Sequence, residues 1–327
     1  LKKTLARYLQ RLGIKTETDE IVITSGALQG IDLVCQALVR PGGSVILENP
    51  TYSGALTAFK IRHIKLLGVP LDSEGMRLDV LQQVLKKESP SLIYSIPTFH
   101  NPTGAVMSAT RRRELITLAQ DYGIPILEDD YMREIRFGSP IPPPLAAFDR
   151  QGNVIHIGTF SKSIMPSLRL GYAVARGELK KRLVILKRTT DISCSALMQR
   201  ALYRYLISSA VQKHWKRMSR LCRRRQMVMV EALERYFPEG TRWWTVDGGF
   251  VIWVSLPQNV SVRRLLRESL KHGVNFAPGE VFFVEPADQP FMRLSFAPVK
   301  EEQIEHGIKT LGILLKQQNK NPEYRKS

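Results

Sequence analysis

A single lysine and a single arginine stand in the stretch GTFSKSIMPSLRLGY, which follows the apolar run NVIHI and leads into GYAVA. Lys162 lies between two serines, and Arg169 follows seven residues later. The two apolar runs predict buried strands, so the residues between them are predicted to form a loop at a strand end. A lysine amine can form a covalent bond with a carbonyl group, and a guanidinium binds phosphate. This loop is therefore a candidate for chemistry.

Ligands of open α/β sheets bind beyond the carboxyl ends of the strands, and the other predicted strands also end in polar groups. IVIT leads into SGALQG, which opens a helix, and the amides of Gly26 and Ala27 would suit an anion such as phosphate. SLIYSIP leads into TFHNPTG with Asn101, and IPIL leads into EDDY with Asp129 and Tyr131. An acidic side chain at such a place can bind a metal or pair with a protonated nitrogen.

Each of these features alone is as compatible with a structural role, such as capping a helix, as with ligand binding. Thr159 and Ser161, which follow VIHIG, bring hydroxyl groups next to Lys162. Together the strand ends carry a phosphate-type turn, an amide, a carboxylate, a phenol and a lysine. This combination resembles a site for a phosphorylated, nitrogen-containing ring that bonds covalently to the lysine.

The elements that must position these residues alternate along the chain. Strand-like runs such as SVILEN, IPILED and NVIHIG are separated by amphipathic segments such as ATRRRELITLAQDYG, which predicts an α/β fold with a mostly parallel sheet covered by helices. From about Val211 a long helix is followed by FVIWVSL, VNFAPG and FMRLSFA, which predicts a smaller α+β domain. We therefore predict a large domain over residues 1–210 and a small one over 211–327, with a frayed tail from Lys316.

The composition excludes several classes of protein. The 48 Lys and Arg residues against 30 Asp and Glu residues give a net charge of +18, which suggests anionic partners. No apolar run approaches the ~20 residues of a membrane span, and the three cysteines lie far apart without paired spacing. We therefore expect a cytoplasmic protein with no membrane partner, no disulfide scaffold and no metal site.

The densest basic cluster is QKHWKRMSRLCRRRQ, residues 212–226. It places Trp215, Met218, Leu221 and Cys222 at the spacing of one apolar helix stripe. We favour a solvated basic face around a buried stripe over a direct contact of this helix with nucleic acid.

In their order and spacing these motifs resemble those of fold-type I proteins that bind pyridoxal 5′-phosphate (PLP), in the aminotransferase class I/II superfamily. The resemblance covers nearly the whole chain and implies PLP as the cofactor. It rests on LARYLQRLGI, ITSGALQGIDLV, NPTYSGA, HNPTGAVMS, EDDY, GTFSKSIMPSLRLGY, APGEVFF and MRLSFA. The subgroup that the chain most resembles contains 2-aminoadipate and kynurenine aminotransferases and the effector domains of MocR-type (GntR superfamily) transcription regulators.

The resemblance implies a role at the cofactor for each motif residue. Lys162 would form the Schiff base with PLP, and Asp129 would pair with the pyridinium nitrogen. Tyr131 and Asn101 would hydrogen-bond the ring oxygen O3′, and Tyr52 would stack on the ring. The expected catalytic residues are thus Lys162, Asp129 and Tyr131.

The resemblance also assigns the anionic ends of the bound molecules. Arg293, in MRLSFA, would bind the carboxylate of an amino compound bidentately, next to Asn101. Arg169 would bind the cofactor phosphate with the help of four neighbours. These neighbours are Thr159, Ser161 and the amides of Gly26 and Ala27.

Two classes of function fit this resemblance. The first is the effector-sensing and dimerisation domain of a MocR/GntR-type regulator, which forms an aldimine with an amino compound and reaches DNA only through a winged-helix domain before Leu1. The second is a free-standing aminotransferase that transfers an amino group from an amino acid to a 2-oxo acid. The segments HWKRMSRLCRRR and EDDYMREIRF and the net charge of +18 favour the regulator, whereas the intact catalytic set does not discriminate.

In both classes we expect a homodimer with the active site near the subunit interface, since fold-type I sites are usually completed by the partner chain. Chains of this type normally carry several dozen residues before the segment that matches Leu1. That portion supplies the start of the small domain and contacts across the dimer.

Overall fold

The computed structural model describes residues 1–320, with the side chains of residues 1–318. The strands are β1 (Ile21–Thr24), β2 (Ser44–Asn49), β3 (Lys65–Asp72), β4 (Gly75–Met76), β5 (Leu92–Ser95), β6 (Ile126–Asp130), β7 (Val154–Thr159), β8 (Gly171–Val174), β9 (Arg242–Trp244), β10 (Val251–Ser255), β11 (Ala277–Pro278) and β12 (Phe291–Ser295). The α-helices are α1 (Lys2–Arg11), α2 (Ala27–Leu38), α3 (Ser53–Ile61), α4 (Leu78–Leu85), α5 (Ala109–Asp121), α6 (Leu145–Phe148), α7 (Gly177–Asp191), α8 (Ala196–Ile207), α9 (Ala210–Tyr236), α10 (Val262–Lys271) and α11 (Glu301–Lys320).

The large sheet contains eight strands in the order β1-β8-β7-β6-β5-β2-β3-β4. The strands β3, β2, β5, β6 and β7 are parallel, whereas β8 is antiparallel to both of its neighbours and β4 is antiparallel to β3. The prediction of an α/β fold with a mostly parallel sheet is therefore confirmed. The predicted strand GYAVA belongs to the antiparallel part.

The direction of β8 brings several loops to one edge of the sheet. Because β8 is antiparallel to β7 and to β1, those two strands run in the same direction. Their last residues, Thr24 and Thr159, both pair with Gly171, the first residue of β8. The turn after β1, the loop after β7 and the residues before β8 therefore lie together, at the edge where β2, β5 and β6 also end.

Helices cover both faces of the large sheet because its central strands are buried on both sides. In β2, Val45 packs with Ile31 of α2 in one apolar layer, whereas Ile46 packs with Leu115 of α5 in the other. Such alternation is the geometry of a strand in the middle of a three-layer α/β sandwich. The sheet is thereby held rigid behind the loops of its carboxyl edge.

A second sheet of four strands, β11-β12-β10-β9, follows later in the chain and packs against α9 and α11. Ile252 of β10, Leu233 of α9 and Leu311 of α11 share its core, which also includes Phe99 and Met132 from the earlier part of the chain. The division into residues 1–210 and 211–327 stays a prediction. The stripe of the basic helix does face inward, since Trp215 and Cys222 are buried.

Two elements differ from the sequence-based expectation. Strand β3 was not predicted, because it lies near the edge of the sheet and only Val69 of its eight residues is fully buried. Residues 316–320 continue α11 instead of fraying, since Gln318 is buried and its side-chain oxygen accepts a hydrogen bond from the Ser261 amide at 3.2 Å. The remainder of the predicted frayed tail, residues 321–327, lies outside the described residues.

Within the described part of the chain, no helix combines the length and the apolar character needed to cross a membrane.

Candidate active site

A cavity of about 260 Å³ lies at the carboxyl edge of the large sheet and reaches the second sheet. All of the residues predicted for the site line this cavity except Gly26, which directly precedes the lining residue Ala27. A larger groove of about 730 Å³ lies beside α1 and the first half of α9, and it contains none of the predicted residues. The chemistry of the lining therefore identifies the smaller cavity as the candidate site.

One end of the cavity is built for an anion. The turn after β1 brings the N-terminus of α2 to the cavity, and Gly26 occupies the left-handed region with a φ of +93°. The Arg169 guanidinium donates a hydrogen bond to the Ser25 carbonyl at 3.2 Å, which places its charge beside this turn. Ser161 is buried, and its hydroxyl has no hydrogen-bond partner among the described residues.

Thr159 differs from the other residues predicted for the anion. It is the last residue of β7, and its hydroxyl donates to the Leu170 carbonyl at 3.1 Å while it accepts from the Ser161 amide at 3.2 Å. These bonds hold the loop that carries Ser161 and Lys162. A direct bond from Thr159 to a phosphate stays a prediction, and the hydroxyl hydrogen is engaged within the protein here.

Lys162 enters the cavity from the loop after β7 and keeps an exposed side chain there. Although the side chain is accessible to solvent, the surrounding protein lowers the pKa of its amine, first through partial removal from water and then through repulsion by Arg293 and Arg169. A lowered pKa increases the fraction of neutral amine, which is the nucleophilic form of lysine.

Asp129 lies on β6 and is almost fully buried at the floor of the cavity. Its Oδ2 accepts a hydrogen bond from the Tyr94 hydroxyl at 2.9 Å, whereas its Oδ1 has no partner in the part of the chain that the structure describes. Burial raises the pKa of Asp129 to about 7, partly opposed by the Tyr94 bond. A buried carboxylate oxygen of this kind is suited to a cationic N–H donor.

Two tyrosines flank Asp129 in the cavity wall. Tyr131 donates its hydroxyl hydrogen to the Phe99 carbonyl at 2.9 Å, and burial raises the pKa of this phenol. Tyr52 precedes α3, and its pKa is raised by burial and by the charge of Asp129. In this arrangement Tyr131 presents an oxygen lone pair to the cavity, so donation to a ring oxygen would require its hydroxyl to leave Phe99.

The far end of the cavity carries a second cation. Arg293, in the middle of β12, donates from Nη1 to Oδ1 of Asn101 at 2.8 Å and lies over the Phe282 ring at 4.9 Å. Its Nε is buried and makes no hydrogen bond to any described residue. Burial lowers the pKa of this guanidinium, which nevertheless belongs to the most basic side chain and stays charged. A guanidinium with unused donors can bind a carboxylate.

Several residues of the cavity were not predicted. The lining also includes Leu28, Ser53, Ile96 and Phe250. Tyr94 supports Asp129 from behind and could have been found, since a tyrosine within a buried strand needs a partner for its hydroxyl. The apolar lining residues carry no comparable signal, because an isolated Leu or Phe in a sequence usually indicates only a core position.

The fit of a phosphorylated pyridine can be tested on the unpartnered atoms of the cavity. The Arg169 charge lies at the helix N-terminus, Ser161 Oγ is unpartnered in the wall of the same cavity, and Asp129 Oδ1 lies at the floor. These groups match the two polar ends of such a ring, its phosphate and its ring nitrogen. Lys162 supplies an amine in the same cavity, so the residues present fit PLP.

Comparisons with known proteins agree with this geometry. The family profile "Aminotransferase class I and II" matches residues 1–311. An aromatic-amino-acid aminotransferase of Thermococcus litoralis is 35% identical over 98% of this chain and 78% of its own length. An uncharacterised HTH-type transcriptional regulator of Bacillus subtilis is 32% identical over 97% of this chain and 65% of its own length.

Among solved structures, the α-aminoadipate aminotransferase LysN from Thermus thermophilus, complexed with N-(5′-phosphopyridoxyl)-L-leucine, superposes with a TM-score of 0.92. It is 34% identical, and the match covers 98% of this chain and 81% of that one. The predicted aminotransferase fold of type I is therefore confirmed. The chain belongs to the aminotransferase class I and II family, whose cofactor, pyridoxal 5′-phosphate, is the group that its cavity fits.

Proposed function

We propose that this chain is a PLP-dependent aminotransferase that transfers an amino group from an amino acid to a 2-oxo acid. The observation that carries the proposal is the joint presence in one cavity of Lys162, the unpartnered Oδ1 of Asp129 and the guanidinium of Arg293. An amine, a buried acid and a carboxylate-binding cation are the three groups that transamination requires from the protein. The similar aminotransferase of Thermococcus litoralis supports this assignment.

At the cofactor end, Arg169, Ser161 and the amides of Gly26 and Ala27 would bind the phosphate. Asp129 would accept a hydrogen bond from the ring nitrogen and keep that nitrogen protonated. When bound, PLP supplies an aldehyde carbon and an electron-accepting ring. The buried, unpaired carboxylate oxygen gains the cationic partner that it lacks in the protein alone.

Lys162 would act twice. Its amine, with a lowered pKa, would hold the cofactor covalently. In transamination the same amine would be the base that takes the proton from the substrate α-carbon and gives it up again. Repulsion by Arg293 and Arg169 contributes to the lowered pKa of the amine, which raises the fraction of the neutral form that this task requires.

Arg293 would orient the substrate by binding its carboxylate bidentately, with Asn101 fixing the guanidinium plane from one side. Tyr52 would lie against the cofactor ring, and Asn101 and Tyr131 would hydrogen-bond the ring oxygen. Holding the carboxylate fixes the α-carbon relative to Lys162, and orientation of this kind contributes a large part of enzymatic rate acceleration.

We also propose that the protein works as a homodimer. Two large apolar side chains that are close in sequence to residues of the site are exposed, Met165 at 46% and Ile192 at 80%. Met165 follows Lys162 by three residues, and Ile192 directly follows a residue that contacts the phosphate-end turn. Exposed apolar side chains beside a site favour burial against a partner chain. Sedimentation at micromolar concentration checks this, and a monomer with PLP fully bound would contradict it.

The function is tested with a panel of amino acids, 2-oxoglutarate as acceptor and an assay for the 2-oxo acid formed. We expect steady turnover above about 1 s⁻¹ on at least one amino acid, in the range of ordinary enzymes. Lys162→Ala is the inactive control, and Lys181→Ala, whose side chain is 70% exposed at a helix surface, is the matched lysine control. No turnover with any member of the panel, from protein that binds PLP, would contradict the proposal.

A second candidate is the effector-sensing domain of a transcription regulator, supported by the similar HTH-type regulator of Bacillus subtilis. The basic helix that first favoured this class is α9, and part of its charge serves the protein itself. Arg224 pairs with Glu301 at 2.5 Å, and Arg225 donates to the Ala297 carbonyl. The sensor would bind an amino compound at the cofactor, seen as a change in the visible spectrum, without releasing a 2-oxo acid. That outcome separates the two candidates.

A further inference from the structure

Asp191, the last residue of α7, contacts the turn that begins α2. Its Oδ2 accepts hydrogen bonds from the Ser25 hydroxyl and from Gln29 Nε2, each at 2.9 Å. The Lys187 ammonium, one helical turn earlier, pairs with the other oxygen, Oδ1. One carboxylate thus joins α7 to the first turn of α2 across more than 160 residues of sequence.

The contact continues to the phosphate end of the cavity. The Ser25 amide donates to Gln29 Oε1 at 2.7 Å, and the Ser25 carbonyl accepts from Arg169 at 3.2 Å. Ser25 is therefore held by Asp191 through its hydroxyl, by Gln29 through its amide and by Arg169 through its carbonyl. Asp191 reaches the arginine of the phosphate end through a single intervening residue.

The placement of this acid is unfavourable for the helix that carries it. The C-terminus of a helix has a partial negative charge, which disfavours an aspartate. The next residue, Ile192, has a φ of +57°, a conformation that β-branched side chains rarely adopt. A residue that destabilises its own helix is usually retained because its side chain is needed for a contact elsewhere in the structure. For Asp191 that contact is the pair of hydrogen bonds from Ser25 and Gln29.

The turn needs such support because its side chains offer little to an anion. Ala27 and Leu28 line the cavity with apolar side chains, and within the described structure the N-cap Gly26 provides no capping hydrogen bond from a side chain. Binding at this end therefore depends on where the backbone amides and Arg169 are placed. Displacements of about 1 Å in such a constellation have large effects on binding and catalysis.

We propose that Asp191 is a positioning residue that holds the Ser25–Gly26–Ala27 turn and Arg169 in the geometry that binds the cofactor phosphate. The inference rests on the proposed function, in which PLP binds in this cavity. It makes a specific claim: Asp191 acts on recognition of the phosphate and not on the fold or on the ring end of the cofactor.

The test compares two probes on cofactor-free protein, PLP and pyridoxal, which lacks the phosphate, each titrated by visible absorbance. Asp191→Ala is compared with the original protein and with Asp121→Ala, since Asp121 is likewise the last residue of a helix but is exposed and distant from the cavity. We expect Asp191→Ala to weaken PLP binding about tenfold, the effect of losing one to two charged hydrogen bonds, with pyridoxal binding unchanged. Asp121→Ala should change neither.

Ser25→Ala provides the second arm, since it removes the receiving hydroxyl and keeps the Ser25 carbonyl for Arg169. If Asp191 acts through Ser25, the double variant should bind PLP about as weakly as Asp191→Ala alone, because contacts within one chain of interactions are not additive. If the losses of PLP affinity in the two single variants added up in the double variant, Asp191 would not act through Ser25. This arm also applies if Asp191→Ala does not fold, since Ser25→Ala should then show the PLP-specific loss by itself.

Three results would overturn the inference. PLP affinity of Asp191→Ala within twofold of the original protein would show that the contact does not matter for the cofactor. Equal weakening of PLP and pyridoxal would show a general structural role. If the original protein bound PLP no better than pyridoxal, the phosphate end itself would be wrongly assigned, and the proposed function would fail with it. A normal preference for PLP that Asp191→Ala retains would leave the proposed function intact.

Discussion

Tyr94 donates its hydroxyl hydrogen to Oδ2 of Asp129 at 2.9 Å and leaves Oδ1 of the same carboxylate for another donor. Both residues are buried on adjacent parallel strands, β5 and β6, so neither can reach water to satisfy its polar atoms. One oxygen of the acid is thereby fixed by the protein, and the other is directed to a ligand. The carboxylate is prepared for a cationic nitrogen before the cofactor arrives.

Because Asp129 is buried, its ionisation should lower the free energy of unfolding of the cofactor-free protein, and by an amount that depends on pH. The pKa of Asp129 is raised from 3.8 to about 7, so the folded state binds the proton more tightly than the unfolded state between those values. The penalty is absent below about pH 4, grows as the pH rises and is complete above about pH 7. Asp129→Asn removes an ionisable group and should therefore stabilise the cofactor-free protein at pH 8.

Urea unfolding of cofactor-free protein at pH 4.5 and pH 8 measures this effect. We expect Asp129→Asn to raise the free energy of unfolding by on the order of 1 kcal/mol or more at pH 8 and by much less at pH 4.5. Burial raises the pKa of Glu48 to about 8, and the charge of Asp129 contributes to that shift, so the gain at pH 8 includes relief of the repulsion between the two carboxylates. Equal effects at the two pH values would contradict a raised pKa of Asp129.

The variant should also lose function, since the neutral Asn side chain lacks the negative charge that would keep a ring nitrogen protonated. We expect Asp129→Asn to lower turnover by at least about 100-fold, and Tyr94→Phe to lower it less, because Tyr94 only orients the carboxylate. Activity of Asp129→Asn equal to that of Tyr94→Phe would place the acid outside the reaction.

Much of the site could be predicted because most of its motifs follow a strand of the large sheet, and parallel strands end at one edge; Arg293, within β12 of the second sheet, is the exception. Asp129, Lys162 and Asn101 are far apart in sequence, yet that rule alone brings them together. The need of Tyr94 for a hydroxyl partner shows in the sequence, but the identity of that partner and the role of Asp191 do not. Their roles depend on side-chain contacts across sheets and helices, and a Tyr in a strand or an Asp in a helix carries no sign of its partner.

The strands that could be located from the sequence are those that appear in it as runs of apolar residues. The strands β2, β6 and β7 each contain an apolar run and are almost entirely buried, so their positions were evident. Strand β3 lacks that pattern because most of its residues are accessible. The antiparallel direction of β8 follows from a tight loop around Lys162 and Arg169, which no local periodicity encodes.

Arg293→Lys tests the substrate end of the cavity. Lysine keeps the positive charge and loses the planar pair of donors, so binding of a carboxylate becomes weaker and less directed. We expect kcat/KM for the best amino acid to fall by about 100-fold, mostly through KM, which corresponds to about 3 kcal/mol.

An amine without a carboxylate is the matched substrate for this experiment, because it makes no use of Arg293. Its rate should be similar in Arg293→Lys and in the original protein. Arg263→Lys, at a side chain that is 82% exposed, serves as the control variant. If Arg293→Lys affected the amine as strongly as the amino acid, the residue would act on the fold or on the cofactor instead.

The covalent role of Lys162 is tested by borohydride reduction of protein that contains PLP, followed by peptide mass analysis. The label should appear on the peptide that contains Lys162 and should be absent from Lys162→Ala, since a methyl side chain has no amine. Lys162→Arg keeps a charge in the cavity and should also remain unlabelled. A stable label on another lysine in the original protein would reject the assignment.

A substitution at Gly171 tests whether binding of the cofactor phosphate depends on the close contact between β8 and the turn after β1. A Cβ atom at this position would lie 2.8 Å from the carbonyl carbon of Gly26 and 2.8 Å from the Gly158 oxygen, and both are backbone atoms that cannot rotate away. Gly171→Ala should therefore separate β8 from the turn after β1. We expect a loss of about 1–3 kcal/mol in the free energy of unfolding, as for other overpacked sites, and weaker binding of PLP.

Gly123→Ala is a glycine control, since a Cβ there meets nothing within 4 Å, although its φ of +66° predicts a small cost of its own. Thermal unfolding and PLP titration measure both effects, and unchanged PLP affinity in Gly171→Ala would show that the turn does not depend on this contact.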